Sequence, residues 1–159
     1  MSTHLVTFTV NRKTVTVQVE ARQSLLDCLR EQLSLKGAHA GCEHGVCGAC
    51  NVLVDGRTVR ACLMLAVQAD GKRVTTVEGL NEGLAAGELS PLQHAFRSRQ
   101  ALQCGYCTPG MLIRTHELLL QNPDVTALEV RKAIAGNICR CTGYEFIIEA
   151  VLEAADSYR

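Results

Sequence analysis

Gly41-Cys42-Glu43-His44-Gly45-Val46-Cys47-Gly48-Ala49-Cys50 places three thiols in one glycine-rich loop, and Cys62 supplies a fourth beyond it. The spacing Cys-x4-Cys-x2-Cys-x11-Cys is that of a plant-type [2Fe–2S] site. Four thiolates must surround two sulfide-bridged irons, and the loop must wrap them closely with backbone N–H groups aimed at sulfur. Glycines at 41, 45 and 48 allow the positive φ and close approach this needs. Structural zinc sites pair their ligands as two short knuckles, so the reading here is iron–sulfur rather than zinc or free buried thiols. His44 lies inside the loop, but four cysteines already complete the site, and it reads as a solvated loop residue rather than a Rieske ligand.

A second set, Cys104-x2-Cys107-x31-Cys139-x-Cys141, lies in the other half of the chain. Thr108-Pro109 and Thr142 with Glu145 are helix-start signals, which places both cysteine pairs beside helix N-termini. There the helix dipole and free N–H groups favour thiolates and anionic clusters. Cys-x2-Cys with Cys-x-Cys also suits tetrahedral zinc, and spacing alone leaves the two open. The ninth cysteine, Cys28, sits with Leu25 and Leu29 on a predicted helix and reads as core packing.

The whole chain has 159 residues, is 47% hydrophobic, and carries 16 basic and 16 acidic side chains. That suits one ordinary domain or two small ones and argues against disorder. Zero net charge removes the electrostatic case for nucleic-acid binding. No apolar run approaches the roughly 20 residues a membrane span needs. The start, Met1-Ser2-Thr3-His4-Leu5-Val6-Thr7-Phe8, shows no basic region leading into an apolar stretch. The expectation is a mature, soluble, cytoplasmic chain whose odd number of thiols is kept reduced for metal rather than paired as disulfides.

Cysteine usage divides the sequence. Val6, Phe8 and Val10 alternate with threonines, and Val15, Val17 and Val19 alternate after Asn11-Arg12-Lys13, a half-buried hairpin. Ser24 caps a predicted helix to about Leu33. Asn51–Val54 and Thr58–Ala61 flank Asp55-Gly56, a second hairpin. Glu78 to Glu88, rich in Gly and Glu, reads as a linker. Beyond it Ser90-Pro91, Thr108-Pro109, Thr126 with Glu129 and Thr142 with Glu145 mark four helix starts. Each half has about 75 residues, where a core alone is marginal and a bound metal centre adds stability.

Together, Gly41 to Cys50, Gln103-Cys104-Gly105-Tyr106-Cys107-Thr108-Pro109-Gly110, and Gly136-Asn137-Ile138-Cys139-Arg140-Cys141-Thr142-Gly143-Tyr144 resemble the small iron–sulfur subunit of the xanthine dehydrogenase (molybdenum hydroxylase) family. Its separate-chain forms include the small subunits of carbon monoxide dehydrogenase and 4-hydroxybenzoyl-CoA reductase. The resemblance covers essentially the whole chain. It implies an α+β protein: a β-grasp ferredoxin-like domain over 1–78, a linker over 79–89, and an all-α four-helix domain over 90–159. It implies a [2Fe–2S] cluster on Cys42, Cys47, Cys50 and Cys62 and a second on Cys104, Cys107, Cys139 and Cys141, against zinc.

The same resemblance implies a large molybdopterin-binding subunit and a medium FAD-binding subunit as partners, in a heterotrimer that can dimerise. Electrons would run from the molybdenum cofactor to the cluster of the second set, then to that of the first, then to FAD. Cys141 would approach the pterin and Gln103 would hydrogen-bond it; read without the resemblance, Gln103 is an ordinary helix-end amide. Asn51 departs from the threonine more usual after Ala-Cys in the family, a position able to tune hydrogen bonding near Cys50.

The chain has no flavin-binding glycine fingerprint and no Ser/His/Asp or Cys/His arrangement for substrate chemistry. His4, His39, His94 and His116 are scattered. The reading is an electron relay rather than a catalytic subunit, serving a complex that hydroxylates an aromatic heterocycle or aldehyde, or oxidises CO. The alternatives are a free-standing ferredoxin-like carrier, against which the second cysteine set counts, and a zinc-stabilised interaction module, which would be colourless.

Overall fold

The computed structural model describes residues 2–81, 83–85 and 87–159. Strands β1 (Thr3–Val10) and β2 (Lys13–Glu20) form the first hairpin. Asn11 and Arg12 both take positive φ between them, the two-residue turn whose twist matches the strands. Val6, Phe8 and Val10 are buried on one face, as the alternation predicts. Strands β3 (Asn51–Val54) and β4 (Arg57–Arg60) make the second hairpin around Asp55-Gly56, one residue earlier in β4 than expected. Strand β5 (Arg73–Thr75), which the sequence did not announce, pairs parallel with β1 and antiparallel with β3. The result is a five-stranded mixed sheet in the order β2-β1-β5-β3-β4, packed on one side by the segment that follows Ser24.

That segment departs from expectation in kind. Ser24 caps it, its hydroxyl accepting from the Asp27 N–H at 3.0 Å. Only α1 (Leu25–Asp27) is α-helical, however; Cys28–Gln32 continue as a π-helix. Leu33 N donates to Cys28 O at 3.2 Å, five residues back. Apolar residues at 25, 26, 29 and 33 suit a turn closed at four or at five residues, so periodicity could not separate them. Leu25, Leu26, Cys28 and Leu29 are all buried against the sheet.

The second half contains helices α2 (Pro91–Ser98), α3 (Thr108–Gln121), α4 (Ala127–Ile134) and α5 (Glu145–Ala154), and no strand among its described residues. The architecture is α+β. Ser90 with Gln93 and Thr126 with Glu129 form the capping boxes of α2 and α4. The other two expected caps do not form. Cys107 stands at the N-cap of α3 without a side-chain bond, and Thr108 is already helical. Tyr144, at φ 71, precedes α5, so the expected pairing of Thr142 with Glu145 is absent. The Thr142 hydroxyl is engaged elsewhere, by a cysteine sulfur.

The stretch read as a linker begins inside a 3-10 turn, Val77–Asn81. Asn81 Nδ2 donates to Glu88 O at 3.1 Å across it; Glu82 and Ala86 lie outside the described residues. One core gathers around the sheet and another among the helices. They meet where α3 lies on β3. A β-carbon on Gly110 would stand 3.1 Å from Ala49 Cα, so only glycine lets this helix approach the cysteine-bearing loop so closely.

Candidate metal centres

The first cysteine loop folds over its own sulfur. Cys42 Sγ accepts the N–H groups of Val46 and Cys47, each at 3.3 Å. The Cys47 N–H foremost, then that of His44, pulls the Cys42 thiol down to about 6. Gly41 is required at this spot, because a β-carbon there would stand 2.9 Å from Cys47 Sγ. Cys50 is buried just before β3, and burial pushes its thiol up to about 11. Cys62 follows β4, and Ala61 N donates to Cys50 O at 3.3 Å, which brings the fourth thiol back to the loop. His44 is exposed, its ring nitrogen bonded to the Cys42 carbonyl.

The second set shares one cavity. Cys104, Cys107, Cys139 and Cys141 all line a hollow of about 190 Å³. Cys104 and Cys141 sulfurs are 3.6 Å apart. Cys139 Sγ accepts from Thr142 N at 3.4 Å and from Thr142 Oγ1 at 3.2 Å. Burial pushes the Cys139 thiol up, but these bonds outweigh it and hold the thiol below its ordinary value. Tyr144 Oη accepts the Cys139 N–H at 2.8 Å. At Cys107, the N-cap of α3, burial pushes the thiol up to about 12. Cys141 is also raised, through its contact with Cys104. Metal coordination overrides such preferences, since a bound thiol is deprotonated outright. Gln103 lies at a bend before Cys104 rather than at a helix end, and its amide donates to Cys141 O at 3.0 Å.

Among the described residues no three His, Cys, Asp or Glu side chains gather around a single ion position. A tetrahedral zinc site needs four donors around one point; a [2Fe–2S] cluster needs two thiols at each of two irons. The donor set of eight thiols, the N–H groups already on Cys42 and Cys139, and the glycine cradle at Gly41 fit the cluster.

The two sets are not separate in space. Cys47, from the first, lines the cavity of the second. Ile138 N donates to Cys47 O at 2.8 Å, linking the loops through one hydrogen bond. Tyr106 Oη donates to Ala40 O at 2.6 Å, and its ring stacks on His39 with centroids 4.6 Å apart. Sequence reasoning missed Thr142, Tyr144, Arg60 and Asn137. Their one signal was adjacency, each lying within a few residues of a cysteine; what they bond is set by the tertiary fold. Cys28 is buried in the core around the sheet, its thiol raised to about 11 by burial. No described helix is long and apolar enough to cross a membrane.

Known proteins agree with this geometry. A 2Fe-2S iron-sulfur cluster binding domain family matches residues 8–75, and a [2Fe-2S] binding domain family matches residues 76–152. The chain is 54% identical over 145 residues to the nicotine 6-hydroxylase small subunit of Paenarthrobacter nicotinovorans, covering 91% of this chain and 86% of that one. It is 47% identical to the caffeine dehydrogenase subunit gamma of Pseudomonas sp. (strain CBB1), covering 95% and 90%. The fold matches a crystal structure of quinoline 2-oxidoreductase from Pseudomonas putida 86 with a TM-score of 0.94 at 46% identity, over 99% of this chain and 96% of that one. It also matches the aldehyde oxidoreductase of Desulfovibrio desulfuricans ATCC 27774, with a TM-score of 0.91 at 40% identity, over 96% of this chain but 17% of that longer one.

Proposed function

We propose how electrons cross this chain from the premise that it belongs to the small iron–sulfur subunits of the xanthine dehydrogenase (molybdenum hydroxylase) family. It is an electron-transfer subunit of an oxidoreductase complex, carries two [2Fe–2S] clusters, and works with partner subunits. A free-standing carrier is not favoured, because its relatives are subunits of larger complexes.

Beyond that, our reading assigns Cys42, Cys47, Cys50 and Cys62 to one cluster and Cys104, Cys107, Cys139 and Cys141 to the other. The first belongs to a β-grasp ferredoxin-like domain over 1–78 and the second to a four-helix domain over 90–159, joined by 79–89. When bound to these thiols, the clusters would supply one-electron redox chemistry, with the second set toward the molybdenum cofactor and the first toward FAD as the family resemblance implies. The chain's own residues hold the thiols, surround them with N–H and O–H donors that favour negative charge, and bring the loops together through Ile138 N and Cys47 O. Gln103 and Cys141 face the molybdopterin of a large subunit, and the loop around Val46 faces a medium FAD subunit. Three relatives are named for nicotine, caffeine and quinoline, which supports a nitrogen heterocycle as the substrate of the complex. Nine cysteines support a reducing, cytoplasmic setting.

The observation that carries this reading is Cys47 on the wall of the cavity lined by the other four thiols. Purification of the tagged chain from its host with its partners tests it. About four irons per chain, from two clusters, together with molybdenum and turnover of a nitrogen heterocycle, is the expected result. Iron without molybdenum would overturn the proposed complex.

A further inference from the structure

A buried polar seam lies between the two cysteine-bearing loops. Asn51 and Asn137 are only 1% and 3% exposed. Asn51 Nδ2 donates to Gly110 O and to Asn137 Oδ1, both at 3.3 Å. Asn137 Nδ2 donates to Gly48 O at 3.3 Å. The Arg60 guanidinium closes the seam, Nε donating to Gly45 O at 3.3 Å, Nη1 to Asn51 Oδ1 and Nη2 to Gly136 O.

Every member of this seam sits close in sequence to a cysteine of one set or the other. Gly45 and Gly48 flank Cys47, Asn51 follows Cys50, Arg60 precedes Cys62, Gly110 follows Cys107, and Gly136 and Asn137 precede Cys139. Apolar side chains could bury the same surface, but they would tolerate sliding. Buried amides do not, because each lost partner leaves an unpaired group at a cost of about 1–3 kcal/mol. The planar guanidinium fork adds direction, with separate N–H groups aimed at three oxygens, which a single ammonium cannot reproduce.

We propose that Arg60, Asn51 and Asn137 are positioning residues that fix the separation and mutual orientation of the two clusters, and thereby the rate of electron passage between them. The proposal rests on the cysteine assignment above. These side chains exchange no electrons and break no bonds; the electron lost by one centre is the electron gained by the other. Their role is to hold the two loops in one register, adding buried, directional bonds to the Ile138–Cys47 and Tyr106–Ala40 hydrogen bonds that also join them.

The test uses the intact complex, fully reduced, so that both clusters are paramagnetic. Magnetic interaction between them splits their EPR lines in a way that depends on distance and orientation. Asn51→Asp keeps the shape and the acceptor toward Arg60 but turns both donated bonds into contacts between oxygens. Arg60→Lys keeps the charge and loses the fork, and it carries the test should Asn51→Asp fail to accumulate. Arg73→Met, whose exposed guanidinium pairs with Asp55 inside the first half, is the control. The expected result is unchanged iron per chain and two cluster signals in all three. The splitting should be altered or lost, and inter-cluster electron transfer slowed, in Asn51→Asp and Arg60→Lys only. Native splitting in Arg60→Lys overturns the proposal while leaving the cysteine assignment standing. Loss of iron from either set in these variants also overturns it, by showing that the seam holds a cluster rather than the spacing. A wild-type complex without two cluster signals would remove the cysteine assignment, and the proposal with it.

Discussion

The carbonyl oxygen of Gly48 lies 2.0 Å from the point where a β-carbon on residue 110 would stand. Gly48 belongs to the first cysteine loop and Gly110 to the first turn of α3, so this contact brings the two halves of the chain together backbone to backbone. Gly110→Ala sets two effects in opposition. Helix propensity favours alanine by about 1 kcal/mol. Overpacking against a backbone carbonyl that has no rotamer to move costs about 1–3 kcal/mol or more. Sterics should win, and the variant should be less stable in urea by up to about 2 kcal/mol once the propensity gain is subtracted. A midpoint equal to or above that of the wild type would show that the interface yields more easily than its geometry indicates.

Thr142 makes a case in which local and tertiary demands compete. Its spacing to Glu145 is that of a capping box, yet its hydroxyl donates to Cys139 Sγ at 3.2 Å. A donor on a ligand sulfur stabilises the extra negative charge of the reduced cluster and raises its potential. Thr142→Val removes that donor while keeping the branched shape. At about 0.5–1.5 kcal/mol for one hydrogen bond and about 59 mV per tenfold, the potential of the second cluster should fall by about 20–65 mV. Thr142→Ser should restore it, and the first cluster should not move. A redox titration followed by EPR reads both centres separately; equal shifts in both would place the effect in global structure.

The capping-box error shows where sequence reading stops. The hairpins and the Ser24, Ser90 and Thr126 caps were legible because each is written in residues close together along the chain. Strand β5 was not, since Arg73-Val74-Thr75 is too short to show alternation and pairs with strands far away in sequence. The π-helix after Asp27 was hidden because its apolar spacing serves either helix. Arg60 and Asn137 carried no local signal beyond standing two residues before a cysteine. Their meaning lies in Gly45, Gly136, Gly48 and Asn51, which only the folded chain brings to them.

Cys28 and Cys141 provide opposite tests of the cysteine assignment. Cys28 is buried among Leu25, Leu26 and Leu29, and its raised thiol stays protonated at neutral pH. Cys28→Ala should therefore keep iron at the wild-type level and both EPR signals. Cys141→Ser should lose or broaden the signal of the second cluster while sparing the first. Iron loss in Cys28→Ala, or loss of both signals to the same extent in Cys141→Ser, would contradict the two-centre assignment.

His116 predicts a dependence of stability on pH. It lies on α3, with Nδ1 2.6 Å from Tyr158 Oη, and burial pulls its imidazole below the ordinary value of 6.5. The unfolded chain takes up a proton near that value, whereas the folded chain does so only at lower pH. Between the two the unfolded state binds more protons, so stability falls as pH falls. The contribution of neutral His116 is thus complete above 6.5 and is lost as pH drops through the lowered folded value. Thermal midpoints of wild type and His116→Gln between about pH 8 and 5 isolate the effect, since cluster loss in acid is common to both proteins. The wild type should lose more of its midpoint than the variant over the acid half of this range. Parallel curves would mean that the imidazole accepts its proton in the folded state as readily as in the unfolded chain, and that the contact with Tyr158 opens to let water in.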